Sequence, residues 1–344
     1  MIISSLKPHQ QSMITQLYEK LVSYNNIDVE TIIENNICRK CSHDKLVKNG
    51  QSKGIKRFKC KKCGSTQSNT ANTPLYGLKL KDKWVDYVQL ILSETTPLTL
   101  QQISDKLDIN IKTAHSWRHR FLSSLNEVKP LEMDNEIEMD DVFLKFRVKG
   151  RIGKEKFIKY DYNDQSKNIP NQIRIDEINK KDHNSIWLCI HNRMGDFDFI
   201  PLKVQKKGHV GHEDILEQTK NLNLDGLTII TDSNRSLGKY LSKKGVKSHL
   251  KFKSSDTQIG VIVNKGVHNN NINNVMSLLQ NWMKVFRGYS TKYEWNYLKW
   301  FRFHRMFQQR RLDTENVVKL SVDDKGSSTR YGDIIKYYGD FIAA

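Results

Sequence analysis

Cysteine, acid and long apolar runs are all scarce in this chain, and each shortage removes a class of protein. Five cysteines in 344 residues are too few for a disulfide framework at this length. No uninterrupted apolar run approaches the roughly 18 residues of a membrane span. The opening MIISSLKPHQQSM has neither a basic nor an apolar leader region, so a soluble, cytoplasmic protein is expected. Acid is outnumbered: 38 Asp+Glu stand against 56 Lys+Arg, a formal charge of +18. Such a surplus suits a polyanion, most commonly nucleic acid, although charge alone leaves ribosomal, membrane-surface and heparin-type partners open. With 38% hydrophobic residues the chain is not of disordered type, and its length suits about two domains.

Four of the five cysteines are paired off. Cys38 and Cys41, then Cys60 and Cys63, form two C-x2-C knuckles separated by 18 residues. Each knuckle lets two thiolates meet one ion, and two knuckles complete the tetrahedral sulfur shell of structural zinc. Gly54, Lys56, Arg57, Phe58 and Lys59 between them read as a basic hairpin, so residues 36–70 are expected to form a zinc ribbon. The fifth, Cys189 in IWLCI, is expected in a buried strand. From Cys38 to Leu122 there are 17 Lys+Arg against 6 Asp+Glu, which concentrates the positive charge at the front.

The stretch LTLQQISDKLDINIKTAHSWRHRFLSSL follows. Leu100, Ile103 and Leu107 make one helical stripe, Asp108-Ile109-Asn110 a short turn, and a second helix is expected from about Lys112. Ala114, Trp117 and Phe121 would pack inward, leaving Lys112, Thr113, His115, Ser116, Arg118 and Arg120 on polar positions. That is the layout of a helix-turn-helix over 77–125, with its second helix able to enter a major groove. Helix pairs with short turns are common, so the DNA-binding reading leans on the ribbon before it. Lys79 to Leu92, with Trp84, Tyr87, Val88 and Ile91 at helical spacing, is expected to be a core helix supporting the module.

Composition turns acidic from Val128 to Glu138, where the domain boundary is placed. In EIEMDDVFLKF, Asp140 and Asp141 interrupt a strand's apolar pattern. A buried carboxylate is costly unless paired or bound to a cation; the alternative is a strand end with both acids in water. Leu227 to Thr231 reads as a strand ending on Asp232 and turning through Ser-Asn into a helix, where an Asx turn or helix cap would serve as well. His268 to Gln280, HNNNINNVMSLLQ, places five asparagines within seven residues before a helix-period stretch. One amide is enough to cap a helix, so Asn269, Asn270 or Asn271 is expected to do so and the remainder need another reason.

Taken in order, these pieces resemble the insertion-sequence transposases of the DDE class, specifically the zinc-ribbon group called the IS-fifteen-ninety-five family. The likeness runs roughly from Cys38 to Phe303. It comprises the ribbon with Asn72-Thr73-Pro74-Leu75, the Trp-Arg-His-Arg ending Trp117 to Arg120, and the strand Glu138 to Asp141. It continues through Thr231-Asp232, a loose match at His268 to Asn273, Ser290 to Tyr293, and Asn296 to Phe301. The resemblance implies a multidomain α+β protein whose carboxy-terminal part, 134–305, is an RNase H-like α/β catalytic domain with a mixed sheet. It implies Asp140, Asp232 and Asn273 as the catalytic set holding Mg²⁺ or Mn²⁺. It further implies terminal inverted repeats and target DNA as partners, a homodimer on DNA, and a bacterial, nucleoid-associated location. Asn supplies a carbonyl oxygen to a hard cation but no charge, so a weaker second ion is expected. The chain departs from the family at Gln280, seven residues after Asn273 on the same helix face, where Lys or Arg is usual; Lys284 lies about 16 Å along the helix from Asn273. A catalytically inactive copy acting as a DNA-binding repressor is therefore the alternative.

Beyond this helix, Lys284 to Arg311 holds eight Lys+Arg and one acid, Glu294, among many aromatics. Trp295, Leu298 and Phe301-Arg302 recur at helical spacing as core, and the basic positions, with Lys284 and Arg287 foremost, are expected to line a DNA channel. Lys149 to Lys181 reads as a basic insertion between strands, 1–35 as a helical lead-in, and 306–344 as a tail without a usable signal.

Overall fold

The computed structural model describes residues 37–52, 55–71, 73–94, 96–125, 131–147, 183–251 and 268–309. The expected lead-in, the Lys149 to Lys181 insertion and the tail beyond 309 lie outside them. The described residues fall into two compact units, one holding 37–125 and the other 131–308. Together they are of mixed α+β type, and no described helix is long and apolar enough to cross a membrane.

In the first unit, strands β1 (Leu46–Ser52), β2 (Ile55–Cys60) and β3 (Thr66–Ser68) form a small antiparallel sheet. The chain then makes tight turns through Leu75 and Gly77 (φ +71). For that reason helix α1 (Lys83–Ser93) begins four residues later than its periodicity suggests. Helices α2 (Leu100–Leu107) and α3 (Ile111–Ser124) follow. Thr99 and Gln102 make a reciprocal capping box on α2, Asp108 ends it in the left-handed region (φ 48), and Asn110 caps α3 by accepting from Lys112 N. Trp84 and Tyr87 of α1 meet Trp117 edge-on at 5.7 and 5.5 Å, and Tyr87 meets Phe121 at 6.2 Å. An aromatic core thus fixes the angle of α3.

The second unit is built on a five-stranded mixed sheet in the order β6-β5-β4-β7-β8. Its strands are β4 (Glu136–Lys145), β5 (Asn184–Asn192), β6 (Phe197–Gln205), β7 (Thr228–Thr231) and β8 (Ser248–Lys251). Central β4 pairs antiparallel with β5, placing Asp140 beside Cys189, and parallel with β7, placing Met139 beside Thr231. Cys189 is wholly buried, as its apolar surroundings require. Alternation sorts the faces. Ile137 and Met139 join Ile186, Leu188 and Ile190 in one core with Ile215 of α4 (His212–Gln218) and Leu237, Tyr240 and Leu241 of α5 (Arg235–Leu241). Glu138 and Asp140 point the other way, toward α6 (Asn270–Lys284) and α7 (Glu294–Gln308).

The second face corrects one expectation. Lys299, among the basic positions read as lining a DNA channel, is turned onto the sheet beside Arg302, which lies on the core stripe as its spacing suggests. The buried Arg302 guanidinium donates to both oxygens of Asp196 at 3.2 and 2.9 Å, and Lys299 Nζ donates to Asp198 at 2.8 and 3.1 Å. Asp196, just before β6, and Asp198 within it need these cations, because a carboxylate against an aromatic helix would otherwise be unsolvated. Glu294, the lone acid of that stretch, is also wholly buried and accepts from Trp187 Nε1 at 2.8 Å. Burial pushes its carboxyl up to about 7.

Candidate functional site

Asp140 lies inside β4, not at a strand end in water. Its pairing partner β7 ends at Thr231 opposite Met139, so Asp232 leaves the sheet level with Asp140. The geometry brings these two carboxylates into one electrostatic neighbourhood. Burial, then the charge of Asp232, pushes the Asp140 carboxyl up to about 7, even though Asp140 Oδ1 accepts the Asp141 N–H at 2.8 Å. The Asx-turn reading of Asp232 also holds: its Oδ1 accepts from Asn234 N at 2.9 Å. The turn and the site are the same feature.

Asp141 faces the opposite side and is buried with partners absent from the sequence reading. Its Oδ2 accepts from Asn234 Nδ2 at 2.9 Å and meets His209 Nδ1 at 3.2 Å. Burial raises its carboxyl and His209 opposes the rise. Its Oδ1 is buried with no hydrogen-bond partner. Asn234 is held at three atoms, since its Oδ1 also caps α5 by accepting from Ser236 N at 2.9 Å. The Asp-Ser-Asn spacing after the strand gives a clue to Asn234; nothing local points to His209.

Asn273 is on the first turn of α6, exposed, with its Nδ2 donating to Asn269 Oδ1 at 3.2 Å. The expected asparagine cap is corrected here. Asn269 holds the N-cap position but makes no side-chain cap bond. The acceptor is Glu138 instead, whose Oε2 takes Ile272 N–H at 2.9 Å while Oε1 takes Asn271 Nδ2 at 2.8 Å and Arg193 Nη1 at 2.7 Å. A full negative charge at the positive end of a helix outcompetes a neutral amide. Gln280 and Lys284 are exposed further along α6, Lys284 bonding Asn281 Oδ1 at 3.0 Å. Arg287 follows, exposed, with a left-handed backbone (φ 46).

In the first unit, Cys38, Cys41, Cys60 and Cys63 have all four sulfurs within 4.8 Å of one another. Cys38 to Cys63 measures 3.5 Å and Cys41 to Cys60 3.6 Å. Four sulfurs at about 2.3 Å from a central zinc would sit at about 3.8 Å from each other, so the cluster could hold such a metal. The Ser65 hydroxyl, 3.3 Å from Cys38 and 2.9 Å from Cys63, helps to bring the Cys38 thiol down to about 6 and lowers that of Cys63. Among the described residues no carboxylate or histidine group is drawn together as closely.

On α3, Lys112, His115 and Ser116 are exposed and Thr113 is partly so. Arg118 departs from its expected place. It is 2% exposed, with its guanidinium donating to Leu98 O, because its position falls on the inward side beside Trp117. Arg120 is half-buried and donates to Pro74 O at 2.8 Å and Tyr76 O at 2.7 Å. These arginines brace the module from within.

No protein-family model and no solved structure matches the chain. Over 269 residues, 78% of this chain and 84% of the relative, it is 22% identical to a Halobacterium salinarum protein described as "Uncharacterized protein in transposable element ISH50".

Proposed function

We propose that the chain is a DNA transposase of an insertion sequence, with an RNase H-like catalytic domain from 134 to 305. The observation that carries this reading is the pair Asp140 in β4 and Asp232 just beyond its parallel neighbour β7, with α6 tied to the same strand where Glu138 accepts the Ile272 N–H. The strand order, antiparallel on one side of β4 and parallel on the other, is compatible with that fold, and the 22% identical relative lies in a transposable element.

The donor set fits divalent cations. Asp140, Asp232 and Asn273 offer hard oxygens, and Asp140 is held near the like charge of Asp232. Bound Mg²⁺ or Mn²⁺ would activate an attacking oxygen and stabilise a leaving one. In the first step water attacks phosphorus at the element end and a 3′-hydroxyl departs. In the second, that hydroxyl attacks a target phosphodiester and releases the target's own 3′-hydroxyl. Asn234, tied to both Asp232 and Asp141, holds the second carboxylate in register. The cysteine ribbon would take structural zinc, and Lys112, Thr113, His115 and Ser116 would read the inverted repeats. Lys284 and Arg287 would meet phosphates. Joining two ends calls for a dimer on DNA.

The test is strand transfer by the full chain on a labelled element-end duplex in Mg²⁺ and in Mn²⁺, beside Asp140→Ala and Asn273→Glu. Metal-dependent joining that Asp140→Ala abolishes supports the enzyme. Repeat-specific binding without joining in either metal would reject it and favour a repressor.

A further inference from the structure

Asparagine as a metal ligand raises a difficulty that glutamate does not. A carboxylate presents oxygen whichever way it turns, whereas an amide presents oxygen in one orientation and an N–H₂ group, which repels a cation, in the other. A working Asn site therefore needs something to choose the orientation. The first turn of α6 contains such a group. Asn273 Nδ2 donates to Asn269 Oδ1 at 3.2 Å, and Asn269 O accepts the Asn273 backbone N–H at 3.1 Å. Asn269 is itself 4% exposed, so this acceptor is not freely rotating in water. With the nitrogen end of the Asn273 amide engaged, the oxygen end is the one presented outward.

Seating of the helix is separately determined. Ile272, the residue before Asn273, donates its N–H to Glu138, which lies two residues before Asp140 on the same strand face. Arg193 balances the Glu138 charge, and Asn271 braces it. Two of the five asparagines of this segment thereby have distinct contacts beside Asn273: Asn271 grips the strand through Glu138, and Asn269 engages the Asn273 amide.

We infer that Asn269 is a positioning residue of the catalytic site, fixing the Asn273 amide with Oδ1 toward the cation, on a helix seated by Glu138. This rests on the cation-binding reading above. The logic yields a coupling that a merely structural residue would not produce, because aspartate at 273 has two equivalent oxygens and needs no orientation.

Mn²⁺ binding to the full-length protein, followed by electron paramagnetic resonance without DNA, tests this in four forms: wild type, Asn269→Ala, Asn273→Asp and the double variant. Asn269→Ala is expected to weaken Mn²⁺ about tenfold in the Asn273 background, the usual cost of losing a group that orients a ligand. The same change is expected to cost less than about twofold when residue 273 is Asp. Thermal melts check folding, and Asn269→Ser, a good helix starter too short to reach the amide, replaces Asn269→Ala if that variant does not fold. Equal losses in both backgrounds, or none in either, would overturn the role of Asn269 alone. Wild-type Mn²⁺ binding that is absent, or indifferent to Asp140→Ala, would overturn the cation reading and this inference with it.

Discussion

The cysteine cluster and the acid pair are two candidate metal centres built on opposite plans. Cys38 to Cys63 are gathered by local turns, with every sulfur within 4.8 Å of the others and a hydroxyl, Ser65, lowering the thiols of Cys38 and Cys63. Asp140 and Asp232 come from segments far apart in the sequence, and burial together with the charge of Asp232 holds Asp140 toward its neutral form. Local turns suffice where the ligands themselves stabilise the folded form. Where like charges must be crowded, the framework has to supply the force, and here Glu138 with Arg193 and Asn234 with Asp141 do so.

The largest break in this comparison is expected from Cys60→Ser. Loss of one thiolate should release zinc and unfold the first unit, removing on the order of 10 kcal/mol of metal-coupled stability, while the second unit keeps its own transition. Zinc content and calorimetry check it, and a single merged loss would show that the units are not independent. Next is Asp140→Ala, expected to lower strand transfer at least about a thousandfold, roughly 4 kcal/mol of barrier, with element-end binding retained in a mobility-shift assay. Third is Glu138→Leu, which leaves Arg193 with Glu136 as its remaining acid partner and removes the acceptor for Ile272. Unfolding in urea should show a loss of about 3 kcal/mol, whereas little change would mean that α6 is seated by its apolar face alone.

A smaller effect concerns pH. Because the Asp140 carboxyl is pushed up to about 7, between about pH 4 and pH 7 the folded chain holds a proton that the unfolded chain has lost. Stability from this group is full below that window and declines as pH rises through it. Asp140→Asn should flatten that part of the metal-free melting profile; an unchanged slope would mean that Asp140 ionises freely. Smallest is the contrast on α3. Lys112→Ala should reduce the salt dependence of DNA binding by about one unit of slope with unchanged stability, while Arg118→Ala should lower the melting temperature of the module instead.

Legibility in the sequence followed the range of each interaction. The C-x2-C spacing and the α2–turn–α3 pattern were readable because their determinants lie within a few residues. Asp140 and Asp232 could be singled out as acids in apolar strands, but their adjacency depends on β4 pairing parallel with β7. The inward turn of Arg118 and Lys299 was missed because a long basic side chain's carbon stem lets it follow an apolar stripe when its charged head finds acceptors, as Leu98 O and Asp198 provide. The side-chain cap expected from Asn269, Asn270 or Asn271 is absent, Asn269 holding the N-cap position without it, since the acceptor Glu138 is remote in sequence.

The same long reach governs when the chain can complete itself. Ile272 grips Glu138 across 134 residues, whereas the α2–α3 turn closes over only a few. At about 5–20 residues per second of synthesis, the strand carrying Asp140 waits on the order of ten seconds for the helix that meets it. Until β5 and β7 emerge within that interval, β4 presents unpaired edges. The second unit should accordingly fold more slowly than the first, and be the part most in need of protection from aggregation.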